Sequence, residues 1–362
     1  MLDNKLAGLL HGSCIWQYLS ETERPLVLYG MGDGADKVLC RLAERGLSAA
    51  AVFASDEFVR GQSFAGFTVE RYADAAARLG DMLVLVCFGT ERPEVIEHIS
   101  AIAREQQVLV PHVPLFGEAL VDEPFVAEHR DELLAAADIW ADEESRRVYR
   151  GYLQALWSGE LAAMRDVESD RAGIWQILQP GGDEVFLDLG AYDGDTVREF
   201  LGQTGGQYRQ IWAFEPDIKN YRKLSAALAD DARVCCLNLG VWQESGQLLF
   251  AGKSGRNSSL QFNAAGKGTM TGVISLDDWF ASYDAAPPTL MKFDVEGAEE
   301  AALLGAQKLL AEFKPRLQVA AYHRSEDIFR LPLLIRRLNP DYRLYLRHHP
   351  YIPAWETNIY AV

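Results

Sequence analysis

Three short stretches carry residue types that could do chemistry. The first is Asp188-Leu-Gly190-Ala191-Tyr-Asp-Gly194, an apolar run ending in acids and glycines. Glycines let a backbone approach a ligand closely, and the helix that follows opens with free N–H groups suited to a carboxylate or phosphate. Asp195 or Thr196 stands where either could cap that helix. An acid such as Asp188 suits a cationic or hydroxyl-rich ligand better than a pyrophosphate. A tight turn with no ligand has the same pattern. The second stretch is Glu215, which ends QIWAFE 27 residues after Asp188. An acid at the tip of a second strand can accept both hydroxyls of a ribose, which marks a nucleoside without saying which. The alternative is a solvated strand end. Asn238, closing VCCLN, could border an adenine or serve a turn. The third stretch is Lys292-Phe-Asp294-Val-Glu296-Gly-Ala-Glu299. Preference of acids for a helix start accounts for Glu296 and Glu299 but not for Asp294 or Lys292.

His323 closes a fifth apolar run, and a neutral imidazole there suits proton abstraction near pH 7. Asp294 is the other candidate base. His348 and His349, beside Pro350, read as structural. An oxygen-rich metal site from Asp294, Glu296 and His323 is conceivable, but no metal is assigned.

These residues need elements to position them. Strand-like runs fall at 185–189, 210–215, 233–238, 289–295, 316–322, 342–348 and 357–362, with helical patterns after most of the first five. Only PYIPAWE separates the last two runs, too short for a crossover helix, so they should form an antiparallel hairpin. An earlier α/β pattern begins at Leu26-Val-Leu-Tyr-Gly30-Met-Gly32-Asp-Gly34 and continues through AAAVFA, DMLVLVCFG and VLVPHV. Between the two, helical periodicity fills the chain. The expected organisation is a Rossmann-like α/β domain at 1–126, a helical connector at 127–179 and the catalytic domain at 180–362.

FLDLGAYDGDTVREFL, WAFEPD, LNLGVW, VISLDDW, KFDVEGAEEAALLGA, AAYH, YRLYLRHH and TNIYAV together resemble the FkbM family of methyltransferases. ADEESRR, 141–147, also resembles the helical lead-in of longer members. The resemblance implies a class I methyltransferase sheet with a closing hairpin, S-adenosylmethionine as cofactor, and O-methylation of a sugar, glycan precursor or natural product in a bacterial cytoplasm. It implies that Asp188, Gly190, Ala191 and Gly194 cradle the methionine end of the cofactor, that Glu215 holds its ribose, and that Asp294 lies beside the methyl group. Tyr192 and Asp193 depart from the commonest family form, which has asparagine and a β-branched residue there.

The first domain's Gly30-Met-Gly32-Asp-Gly34-Ala35 is close to a dinucleotide-binding turn, with Asp56 26 residues after Gly30. It resembles the nucleotide-binding-like domain of bacterial sugar-modifying acyltransferases. A recognition or assembly module and a working nucleotide site both remain open. Two rival readings follow: a non-catalytic nucleotide-sugar-binding protein with a vestigial methyltransferase domain, and a nicotinamide oxidoreductase.

Composition narrows the classes. With 52 acids against 35 Lys and Arg the net charge is −17, which argues against nucleic acid as partner. The five cysteines show no paired spacing, which fits small buried side chains in a reducing compartment. The first twenty residues lack the basic-then-apolar pattern of a signal peptide, and no apolar run reaches 18 residues.

Overall fold

Short runs of aliphatic residues buried on both faces, such as LVLY, LVLV and VFLDL, are the composition of parallel strands covered by helices on each side. The structure, a computed structural model, describes residues 6–251, 259–261 and 269–362. Among these residues the strands are β1 Leu26–Tyr29, β2 Ala51–Ala54, β3 Ser63–Phe64, β4 Phe67–Arg71, β5 Leu83–Val86 and β6 Gln107–Leu109 in the first half. The second half contributes β7 Val185–Leu189, β8 Gln210–Phe214, β9 Val234–Leu237, β10 Gly240–Val241, β11 Gly246–Ala251, β12 Ser259–Gln261 and β13 Thr269–Ile274. It ends with β14 Leu290–Phe293, β15 Arg316–Ala320, β16 Leu344–His348 and β17 Thr357–Ala361.

The first sheet has the order β3-β4-β2-β1-β5-β6, parallel except for the β3–β4 hairpin. The large sheet has the order β16-β17-β15-β14-β7-β8-β9. Its strands are parallel apart from β17, which lies antiparallel between β15 and β16. The expected closing hairpin is therefore present. A small sheet, β10-β13-β11-β12, has no counterpart in the expectations drawn from sequence.

Helices Arg130–Ala137, Glu143–Ser158, Leu161–Arg165 and Ala172–Leu178 run between the two large sheets. They brace the exposed edge of β16, which would otherwise offer unpaired backbone groups. Ala141 donates to the Leu344 carbonyl, Ser169 to the His348 carbonyl, and Arg347 pairs with Asp142 at 2.6 Å. The two α/β halves share one apolar core, which runs from Leu28 and Leu85 through Trp157 to Phe293 and Leu346.

The glycine turn after β1 is packed by the protein itself. A Cβ on Gly34 would lie 2.2 Å from the Cys87 carbonyl oxygen, and one on Gly30 would lie 2.8 Å from the Phe88 ring. The segment joining β16 to β17 docks here. Thr90 and Ile352 exchange backbone hydrogen bonds of 2.7 and 2.9 Å, and Trp355 lies so close to Gly89 that a Cβ there would sit 2.0 Å from its ring. All five cysteines are free, Cys14 and Cys87 buried and Cys40 exposed. No described helix is long and apolar enough to cross a membrane.

Candidate functional site

In the large sheet the chain runs outward from β7 through β8 to β9, then returns to place β14 on β7's other side. Ligands of open α/β sheets bind at the carboxyl ends of strands where the order reverses this way. A cavity of about 580 Å³ opens there. Gly190, Tyr192, Glu215, Leu239, Gly240 and Val241 form the wall above β7, β8 and the loop after β9. Lys292, Asp294 and Glu296 form the middle, and Gln318, Tyr322, Glu356 and Asn358 form the far wall above β15 and β17.

The turn after β7 shows why this position takes glycine. Gly190 has φ +89°, and a Cβ would stand 1.9 Å from the Asp294 carbonyl oxygen. Only a residue without a side chain lets the tips of β7 and β14 come this close. Gly190 and Ala191 both donate their N–H groups to the Phe214 carbonyl, which ties the turn to β8. Gly194 occupies the N-cap of the helix Asp195–Thr204 without a side-chain cap. The capping expected of Asp195 or Thr196 is replaced by a local bond, Thr196 N–H to Asp195 Oδ1 at 2.8 Å.

Glu215 is buried at the tip of β8 and faces the cavity. Its carboxylate accepts from Tyr192 N–H at 2.9 Å and Asp217 N–H at 2.8 Å. Burial lifts its pKa to about 7, against those two bonds, which favour the charged form. Asp188 is fully buried beneath the turn, and neither of its oxygens has a hydrogen-bond partner. Burial lifts it to about 7 despite the nearby Lys292 ammonium. Lys292 binds Asp294 Oδ2 and Thr196 Oγ1, each at 2.9 Å. Although burial opposes its charge, Asp294 and Asp188 raise its pKa above the usual lysine range.

Of the expected site residues, Gly190, Glu215 and Asp294 line the cavity, whereas Asp188, Ala191, Gly194, Asn238 and His323 do not. Asn238 does not line the cavity; its amide donates to the carbonyls of Glu215 and Pro216 at 2.9 and 3.0 Å and so fixes the tip of β8. His323 is likewise absent from the cavity wall and is 1% exposed. Its Nδ1 lies 2.9 Å from Glu299, and its Nε2 lies 3.3 Å from Glu296 and 3.7 Å from Asp294. Burial alone would discharge this ring, but Glu299, Glu296 and Asp294 outweigh it and hold the pKa at about 10. Its burial and its acidic neighbours weigh against a neutral imidazole facing the cavity. The three carboxylates favour the charged imidazolium. Asp294, Glu299 and His323 also group closely enough to face one cation.

Several lining residues went unnoticed in sequence. Glu91 follows β5 in the first half, Arg171 opens the last connector helix, and Glu356 stands 3.7 Å from Arg171 with φ +59°. The lining as a whole has seven carboxylates against two cations.

A reversed-order parallel sheet with one antiparallel strand inserted, and a cavity over its carboxyl ends, defines a class I methyltransferase fold with a second α/β unit before it. The comparisons agree. Residues 188–353 match the family described as Methyltransferase FkbM domain, so the C-terminal half of the chain carries an FkbM methyltransferase domain. The chain shares its fold with Methyltransferase FkbM from Methylobacillus flagellatus KT, with TM-score 0.71 and 20% identity over 100% of this chain and 94% of that one. The precorrin-6y C5,15-methyltransferase of Geobacter metallireducens GS-15 aligns over 54% of this chain and 87% of its own, at 12% identity and TM-score 0.35. No curated protein sequence matches the chain.

Proposed function

We propose that the protein transfers a methyl group from S-adenosylmethionine to a hydroxyl of a sugar, glycan precursor or related natural product. The observation that carries this reading is the buried carboxylate of Glu215 beside the Gly190 turn on one wall of the cavity. The residues suit the cofactor. Glu215 can accept from both ribose hydroxyls, Gly190 lines the cavity above β7, and Asp188 lies buried beneath the turn with two partnerless oxygens. Asp188, Gly190, Ala191 and Gly194 would shape the methionine end, Ala191 and Gly194 through the backbone. When bound, S-adenosylmethionine supplies a methyl carbon activated by a cationic sulfur, and the C–S bonding pair stays on that sulfur.

What remains for the chain is positioning and one proton. As the new C–O bond forms, the hydroxyl proton passes to the Asp294 carboxylate, which lines the cavity between the cofactor wall and the far wall. Lys292 holds Asp294 in place. His323, within 3.7 Å of Asp294, Glu296 and Glu299, holds that segment in place.

The test is S-adenosylhomocysteine release over a panel of hydroxylated sugars, with Asp294→Asn as the variant. Base assistance is typically worth about 100- to 10,000-fold, so Asp294→Asn should lower kcat by that order while retaining cofactor binding. Near-normal turnover in Asp294→Asn would remove it as the base.

A further inference from the structure

The cavity does not end at the methyltransferase sheet. Its far wall is assembled from three parts of the chain: Glu91 after β5 of the first sheet, Arg171 from the connector, and Glu356 with Asn358 at the start of β17. The docking of the two halves holds these parts together. The Thr90–Ile352 backbone pair adjoins Glu91, and the Trp355 ring against Gly89 adjoins Glu356.

The charge of this region is one-sided. Glu91 and Glu356 face the far side of the cavity with Glu296 next to them in the middle; Arg171 lies 3.7 Å from Glu356, and His323 Nε2 lies 3.3 Å from Glu296. The groups nearby respond as a negative potential requires. Glu356 is raised by burial and then by Asp294. Tyr322 is raised by burial, then by Asp294, Glu356 and Glu296. His323 and Lys292 are both held charged in spite of burial. A low-dielectric cleft of one sign concentrates molecules of the opposite sign and repels those of its own.

We propose that the first α/β half completes the acceptor subsite through Glu91, and that this subsite takes an uncharged or amine-bearing polyol rather than a phosphorylated or nucleotide-linked one. The inference rests on the methyltransferase reading above. Carboxylates and the Asn358 amide can accept and donate to sugar hydroxyls, and Glu91 and Glu356 can pair with an ammonium on the same ring. A diphosphate in the same place would meet Glu91, Glu296 and Glu356, opposed by Arg171 and by His323 behind Glu296. The first half is then part of the active site through its own sheet, with no nucleotide bound at the Gly30 turn.

The experiment uses the full chain and two readouts. Calorimetric titration with S-adenosylmethionine reads the underlying function, and absence of binding there overturns the methyltransferase reading itself. With binding established, labelled methyl transfer is measured to hexoses, 6-deoxyhexoses and amino sugars, each beside its 1-phosphate and its nucleoside diphosphate form. The expected result is transfer to uncharged or amine-bearing members, with the phosphorylated partners at least about 10-fold lower in kcat/KM, since the subsite carboxylates repel a phosphate. Glu91→Gln should raise the acceptor KM about 10-fold and leave kcat and cofactor affinity in place. Equal or better transfer to the phosphorylated forms overturns the proposal, as does an unchanged KM in Glu91→Gln. So does cofactor binding without transfer to any uncharged or amine-bearing member.

Discussion

At the scale of single residues, environment matters more than type. His323 has the side chain most often used as a base at neutral pH, yet three carboxylates around a 1%-exposed ring favour its protonated form. Glu215 and Asp188 are shifted toward neutrality by burial, to about 7 each. These shifts have a consequence for stability. A histidine raised to about 10 in the fold contributes stability that is complete below its unfolded value near 6.5 and lost as the pH rises through 10. Asp188 and Glu215 act in the same direction up to about pH 7, because their unfolded forms release the proton earlier. Melting temperature should therefore fall between pH 6.5 and 10, and His323→Gln should flatten that fall while lowering stability at pH 6.5. A variant whose melting curve parallels the parent across this window would show that His323 carries no excess charge.

At the scale of elements, the sequence already exposed most of what surrounds the cofactor wall. The run Val185–Leu189 is a strand as expected, and the final hairpin follows from a connection too short for a helix. Asp294 and Glu215 could be found because acids at strand tips break an apolar run. The small sheet was harder to see. Its strands include a two-residue piece, Gly240–Val241, and a run with an internal glycine, TMTGVI, so neither carries clear alternation. Glu91, Arg171 and Glu356 sit on loops or at a helix start and share no periodicity. Only tertiary packing brings them to one cavity. His323 was visible but its three acidic neighbours in space were not. The turn after β7 offers a direct check. Gly190→Ala would force a methyl against the Asp294 carbonyl at positive φ. Overpacking of this kind costs about 1–3 kcal/mol, so the variant should melt lower by several degrees. An unchanged melting temperature would mean that the β7 and β14 tips are not in the close contact described.

At the scale of the whole molecule, two α/β units share one apolar core and one cavity. The first unit's glycine turn is filled by Phe88 and the Cys87 carbonyl, and its neighbour Gly89 lies under Trp355 from the second unit. On the proposed reading, this packing gives the first unit a part in building the site and leaves the cofactor to the second. The central claim is therefore that S-adenosylmethionine binds over β7 and β8, with Glu215 on its ribose. The most direct measurement is calorimetric titration of S-adenosylmethionine into the full chain, the Glu215→Ala variant and the Asp56→Ala variant. The account predicts one site in the parent. Loss of two hydrogen bonds to a charged group should weaken Glu215→Ala by on the order of 1–3 kcal/mol, or about 5- to 150-fold. Asp56→Ala, altered at an exposed position in the short turn after β2, should bind as the parent does. Unchanged affinity in a folded Glu215→Ala, or loss of affinity in Asp56→Ala, would contradict the account.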